Sequence, residues 1–163
     1  MVSALTTYLP TFLSEEGTGL FLAGASLSIL QGAGVVGALV GGTLSDHLGR
    51  RAVLFTSMLA TPLLMFAFLA VNGWLHVVLL LLLGLSALSV GPVIMALVQE
   101  SVPENRALAN GIYMALSFVL RSGVIVVIGM IGDWLSLRSA FAVSAIVALV
   151  GLPLILLLPG GDG

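Results

Sequence analysis

The sequence has no cysteine and no lysine, and only 7% of its 163 residues are charged. Without cysteine there can be no disulfide, no thiolate metal site and no cysteine nucleophile, and the redox compartment leaves no trace. Without lysine, and with five arginines against seven acids, no basic tract exists to read a polyanion, which excludes a nucleic-acid partner. Histidine is almost as scarce, since His47 and His76 stand 29 positions apart. No cluster of His, Asp and Glu forms at one depth, so a metal centre or a hydrolytic site has nothing to be built from. No cofactor and no enzyme activity are expected.

No secretory leader is expected either. Residues 2–13 are apolar, but no basic residue precedes them and no small-residue cleavage site follows. Crossing a bilayer takes about 20 apolar residues, so this short run reads as the end of a helix whose beginning is lost.

What the chain has in excess is apolar surface, with 60% hydrophobic residues and a mean hydropathy of +1.25. Soluble domains are about 45–50% apolar and about 25% charged. The surplus must face lipid. Polar breaks divide the chain into runs at about 2–13, 20–43, 52–71, 75–98, 107–131 and 139–158. The complete runs have the length of transmembrane helices. They are far longer than the roughly ten-residue alternating strands of a membrane barrel. Only a helix satisfies its own backbone in lipid, so the fold class is an all-α membrane protein.

Arginine placement sets the orientation. Arg50, Arg51 and Arg106 fall on one side if the helices alternate, with Arg138 alone opposite. The segments 44–51 and 99–106 are therefore expected to be cytoplasmic loops. Small residues Gly34, Gly37, Ala38, Gly41 and Gly42 recur about one turn apart, a spacing that lets another helix approach closely. Gly91-Pro92 is expected to kink the run at 75–98.

The fifth run, counting the partial first, holds the clearest candidate site. At about 100° per residue, Asn110, Tyr113, Ser117 and Arg121 share a stripe about 80° wide. An arginine near mid-membrane costs roughly 2.5–3.5 kcal/mol even on the mildest scale and is a functional-site hypothesis by default. Arg121 would bind an anionic group on a solute, or pair with a carboxylate from elsewhere. The bland alternative is an arginine that snorkels outward. Gln31, one turn after Ser28, is a weaker candidate on 20–43, where helix-to-helix hydrogen bonding explains it equally well. Ser86 and Ser89 read as packing residues, Glu15 and Glu16 as solvated, Glu100 and Glu104 as solvated or arginine-paired, and His76 as a wetted helix end.

The most informative stretch is Gly42-Thr43-Leu44-Ser45-Asp46-His47-Leu48-Gly49-Arg50-Arg51-Ala52-Val53-Leu54. A tight connection between two helices needs glycine where the backbone takes positive φ. Arg50 and Arg51 would hold it at the headgroups or meet carboxylates, and Asp46 could accept from a neighbouring helix N-terminus. The stretch resembles the signature of the major facilitator superfamily, G-x-L-a-D-r-x-G-r-k-x-x-l. Gly42, Leu44, Asp46, Gly49, Arg50, Arg51 and Leu54 fall in register, and His47 replaces the preferred arginine. Thr7-Tyr8-Leu9-Pro10-Thr11-Phe12-Leu13-Ser14-Glu15-Glu16-Gly17 looks like the end of helix seven in fosmidomycin-resistance-like members. Val98-Gln99-Glu100-Ser101-Val102-Pro103, followed by Ala109-Asn110-Gly111, looks like their junction of helices ten and eleven.

The resemblance covers the whole chain. It implies half of the transporter fold, the end of helix seven plus helices eight to twelve, in a bacterial-type inner (plasma) membrane. It further implies that the signature residues latch one conformation and that helices seven, eight, ten and eleven line a central cavity while nine and twelve face lipid. The expected function is alternating-access transport of a small organic solute, as proton-coupled drug or metabolite efflux, in partnership with the missing N-terminal half. No carboxylate lies deep in a run, so a proton-carrying group would belong to that other half. The alternative is a non-transporting membrane fragment or scaffold subunit.

Overall fold

The structure is a computed structural model that describes residues 1–71 and 73–155. Every run becomes a helix, as lipid requires of a backbone with no other hydrogen-bond partners. The elements are α1 (Val2–Glu15), α2 (Leu20–Leu48), α3 (Arg50–Ala70), α4 (Leu75–Ser101), α5 (Arg106–Trp134), α6 (Leu137–Val150) and the short α7 (Leu152–Ile155). A 3-10 turn at Pro103–Asn105 leads into α5. The helices α2, α3, α4 and the Pro103–Trp134 segment are long and apolar enough to cross a membrane. The protein is an all-α membrane protein.

Several helices outlast the apolar runs that announced them. The run 20–43 becomes a helix ending at Leu48, 75–98 one ending at Ser101, and 107–131 one ending at Trp134. Apolarity stops where water begins, but backbone hydrogen bonding does not. At about 1.5 Å per residue, the 29 residues of α2 reach about 44 Å, past a hydrocarbon core of about 30 Å. The expected loops 44–51 and 99–106 are therefore mostly helical. Gly49 alone joins α2 to α3, with φ +88°. The run at 139–158 is corrected the other way. The helix α6 starts early because Ser136 caps it, accepting from the Ser139 amide at 3.1 Å. It ends at Val150, before Gly151 and Pro153, where proline has no amide to give back to the preceding turn. Positions 156–158 lie outside the described residues. The α4 helix runs unbroken through Gly91-Pro92.

The helices α2 and α4 form the tightest pair, and the small-residue stripe is the reason. A Cβ on Gly37 would lie 2.7 Å from Leu85 Cα and closer still to its carbonyl. One on Gly41 would lie 2.5 Å from Ser89 Cβ, and one on Gly84 2.9 Å from Ala33 Cβ. Gly42 is different, because its Cβ would meet nothing within 4 Å. It sits inside a helix and is not a turn residue.

The helix α3 packs on α4 and α6. Its contact with α4 carries a buried hydroxyl ladder: Ser57 and Ser89 share a 3.0 Å hydrogen bond, and Thr61 donates to Ser57 O at 2.6 Å. Ser86 and Ser89 are thus helix-to-helix contacts, as expected of packing residues. The main apolar cluster joins α1, α3, α4 and α6 around Phe12, Phe68 and Phe141. The ring of Phe12 meets Phe141 edge-on at 5.2 Å and Phe68 at 6.0 Å.

Burial differs sharply between helices. The helix α3 has 44% of its most apolar window buried within the bundle, against 6% for the segment containing α5. Only Ile128 is fully buried on α5, whereas α3 keeps the narrow stripe Ala52, Thr56, Leu59 and Leu63 exposed.

Candidate functional site

Charge placement gives the first clue to function. Asp46 and Glu100 sit in the last turns of α2 and α4, and Arg50, Arg106 and Arg138 at the starts of α3, α5 and α6. Each opposes its own helix dipole, which favours acids at N-termini and bases at C-termini. Such residues do not serve their own helices; they hold partners or position the chain in the membrane.

At the signature end, Arg50 is the hub. Its Nε donates to both Glu100 oxygens at 2.8 and 2.9 Å, and Nη2 donates to Oε1 at 2.5 Å. Its Nη1 lies 3.3 Å from Asp46 Oδ1 and 3.4 Å from Ser45 Oγ. Bidentate geometry of this kind is the strong form of an arginine–carboxylate contact. Asp46 caps neither α3, whose N-cap is Gly49, nor α5, whose N-cap is Asn105, since neither has a side-chain cap; it meets Arg50 instead. Leu44, Asp46 and Gly49 are exposed, and Arg51 follows Arg50 in the first turn of α3. The cluster therefore ties the α2–α3 joint to the end of α4.

The Arg50–Glu100 pair is half open to water, at 24% and 55% side-chain exposure. Replacing Arg50 by glutamine is expected to cost at most about 1 kcal/mol. Arg50→Glu, which faces two carboxylates, should cost about 2 kcal/mol in low salt and less in 0.5 M NaCl as screening grows. Unfolding in SDS followed by circular dichroism at the two salt concentrations checks this.

Asn110, Tyr113, Ser117 and Arg121 all lie on α5, with Arg121 exposed. Asn110, Tyr113 and Ser117 are half-buried on the side of α5 that turns toward the bundle, and most other α5 positions are exposed. Arg121 lies 15 residues after the start of α5 and 13 before its end, about 20 Å from either terminus. Its Nη2 donates to Thr6 Oγ1 of α1 at 3.1 Å. Asn110 Oδ1 is buried and has no hydrogen-bond partner among the described residues. An acceptor left in that state costs free energy until a donor arrives, so it stands ready for one. Gln31 is exposed on α2 beside Ser28, and no hydrogen bond joins it to the α5 stripe among the described residues.

The opposite end holds contacts that the sequence did not reveal. Arg138 donates to Oε1 of Glu16, the C-cap of α1, at 3.3 Å and to the Leu69 carbonyl in the last turn of α3. Glu16 is thus engaged with Arg138 and not simply solvated, and three helix ends are stapled together. His76 is buried with its ring centroid 4.7 Å from that of Phe68, so it is not a wetted end. It borders a cavity of about 480 Å³ lined also by Glu16, Thr18, Leu22 and Trp74. No group of three or more His, Cys, Asp or Glu able to hold a metal occurs among the described residues. The sequence signal that could have found the Arg138 staple was the basic residue at the wrong end of its helix.

The family model described as Major Facilitator Superfamily matches residues 1–162. An MFS-type efflux pump of Mycolicibacterium smegmatis is 32% identical over 145 residues, covering 82% of this chain and 33% of that protein. The fosmidomycin resistance protein of Escherichia coli K12 is 25% identical over 157 residues, covering 93% of this chain and 37% of its own length. The chain thus spans about a third of the curated relatives it matches. No solved structure matches at the same stringency.

Proposed function

This chain belongs to the major facilitator superfamily, and we propose that it forms the C-terminal six-helix half of a secondary transporter for a small organic solute. In this reading α1 is the end of helix seven, and α2 to α5 are helices eight to eleven. The region from α6 onward is helix twelve. The two halves rock about a central site in alternating access. The observation that carries the reading is the α5 stripe: a mid-span arginine and three polar residues on one face of an otherwise apolar helix. Arg121, Ser117, Tyr113, Asn110 and Gln31 are the proposed cavity lining, with Arg121 drawing an anionic group.

The direction is efflux of a drug or metabolite, a reading supported by relatives described as an efflux pump and a resistance protein. Proton coupling would need a titrating group in the pathway, which Arg121 cannot supply because guanidinium stays charged. That group is assigned to the other half. The segments containing Asp46, Arg50, Glu100 and Arg106 are placed in the cytoplasm of a bacterial-type inner membrane, on the side richer in arginine. Gly42, Leu44, Asp46, Gly49, Arg50 and Arg51 are proposed to act as a gating element. Arg50 would release Glu100 when the ends of α2 and α4 move apart.

Proteoliposomes holding this chain together with a six-helix N-terminal half are expected to exchange labelled solutes, and the 163-residue chain alone is not. Arg121→Gln should lower anionic flux by about tenfold or more, since a charge-assisted hydrogen bond is worth about 1.5–3 kcal/mol. Flux by the single chain would overturn the two-half reading. No flux from the assembled halves across anionic, neutral and cationic solutes would overturn the carrier reading.

A further inference from the structure

Two hydrogen bonds join α1 to α5 along their seam. The Tyr8 hydroxyl donates to the Ile125 carbonyl at 3.2 Å. Gly129 leaves it room, since a Cβ there would lie 2.6 Å from that hydroxyl. One turn earlier on α5, Arg121 Nη2 donates to Thr6 Oγ1 at 3.1 Å.

The polarity of that second bond is determined by a third. Thr6 gives its single hydroxyl proton to the Ser3 carbonyl at 3.2 Å, so toward Arg121 it can only accept. A guanidinium has five N–H donors in a planar fork and no acceptor. A carboxylate is bound bidentately by two adjacent N–H groups, either Nε with Nη2 or Nη1 with Nη2. Nη2 contributes one hydrogen to each of those edges. Whichever one Thr6 takes, the other edge remains whole. Arg121 is exposed and makes no other hydrogen bond or ion pair among the described residues.

Building on the reading of Arg121 as solute-facing, we infer that Thr6 is a positioning residue that locks the Arg121 guanidinium with one edge free for a planar carboxylate on the solute. A free arginine would surrender side-chain freedom at every binding event; an arginine already held has less to lose. The threonine is itself held by its bond to the preceding turn, a habit of Thr in helices. The site therefore discriminates by charge. Thr6 never touches the solute.

The test uses the full chain in lipid nanodiscs, with 4-fluorobenzoate and its uncharged counterpart 4-fluorobenzamide as probes, followed by 19F NMR. Wild type should bind the benzoate and largely ignore the benzamide. Thr6→Val, which keeps the shape but removes the acceptor, should weaken benzoate binding about five- to tenfold. Thr6→Ser should restore it, and neither change should move benzamide. If Arg121→Gln abolishes benzoate binding while Thr6→Val leaves it intact, the inference about Thr6 falls and the reading of Arg121 stands. If Arg121→Gln changes nothing, both fall. Benzoate binding should persist when the chain is assembled with its N-terminal half. Its loss there would identify a side-chain carboxylate of that half as the occupant and overturn the solute assignment.

Discussion

Gly37→Ala is expected to lower the stability of the folded chain by about 2–3 kcal/mol, the upper range for forcing one carbon into a packed interface. The added Cβ would strike the Leu85 backbone. Backbone cannot swing aside as a long side chain can, so α2 and α4 must part along their length. The consequence is larger than in a soluble protein of the same geometry. Between membrane helices lipid is as apolar as the interface, so close packing and hydrogen bonds supply the attraction. Separation also strains the Ser57–Ser89 bond that ties α3 to α4. Gly42→Ala is the matched control, because its Cβ has open space. It should be neutral or stabilising by up to about 1 kcal/mol, the ordinary gain of replacing a helical glycine by alanine. SDS unfolding of both variants by circular dichroism decides the matter; equal losses would mean that the stripe does not set the α2–α4 distance.

Phe68→Ala should cost about 3–4 kcal/mol, the usual toll of deleting a large buried aromatic. Phe68 has no exposed surface and lies between Phe12 and His76. Removing it leaves a void bordered by the imidazole and takes away the ring that covers His76. The same SDS titration should show Phe118→Ala within about 0.5 kcal/mol of wild type, as for other surface positions. Phe118 is 67% exposed on α5. A Phe118 effect matching that of Phe68 would mean that α5 packs against the bundle far more than its exposure indicates.

These two contrasts show where the sequence was legible. The Gly34–Gly37–Gly41 stripe announced a close helix pair, because only missing side chains allow backbones to meet. It did not separate Gly37 from Gly42, as both lie on α2 and only α4 tells them apart. The motif was readable as residues and misread as a loop. Polarity marks where the bilayer ends, while the helix continues through Leu44, Asp46 and Leu48 because its hydrogen bonds are internal. His76 looked like a wetted end because it follows Trp74 and Leu75 at a helix start. Its burial against Phe68 joins residues on two helices across a turn. The partner of Arg50, Glu100, lies 50 positions away, and that of Arg121, Thr6, lies 115 away. No local pattern contains either pair.

By itself the sequence determined that the chain is an all-α membrane protein, and it marked out the apolar runs and the few polar residues within them. A backbone in hydrocarbon has one way to satisfy its amides, and an arginine at that depth needs a reason. Only the tertiary structure decided which face of each helix is covered by the other helices of the bundle. In water an amphipathic stripe marks the inward face. In lipid the inside and the outside of the bundle are equally apolar, so the faces are chosen by shape and by a handful of hydrogen bonds between helices.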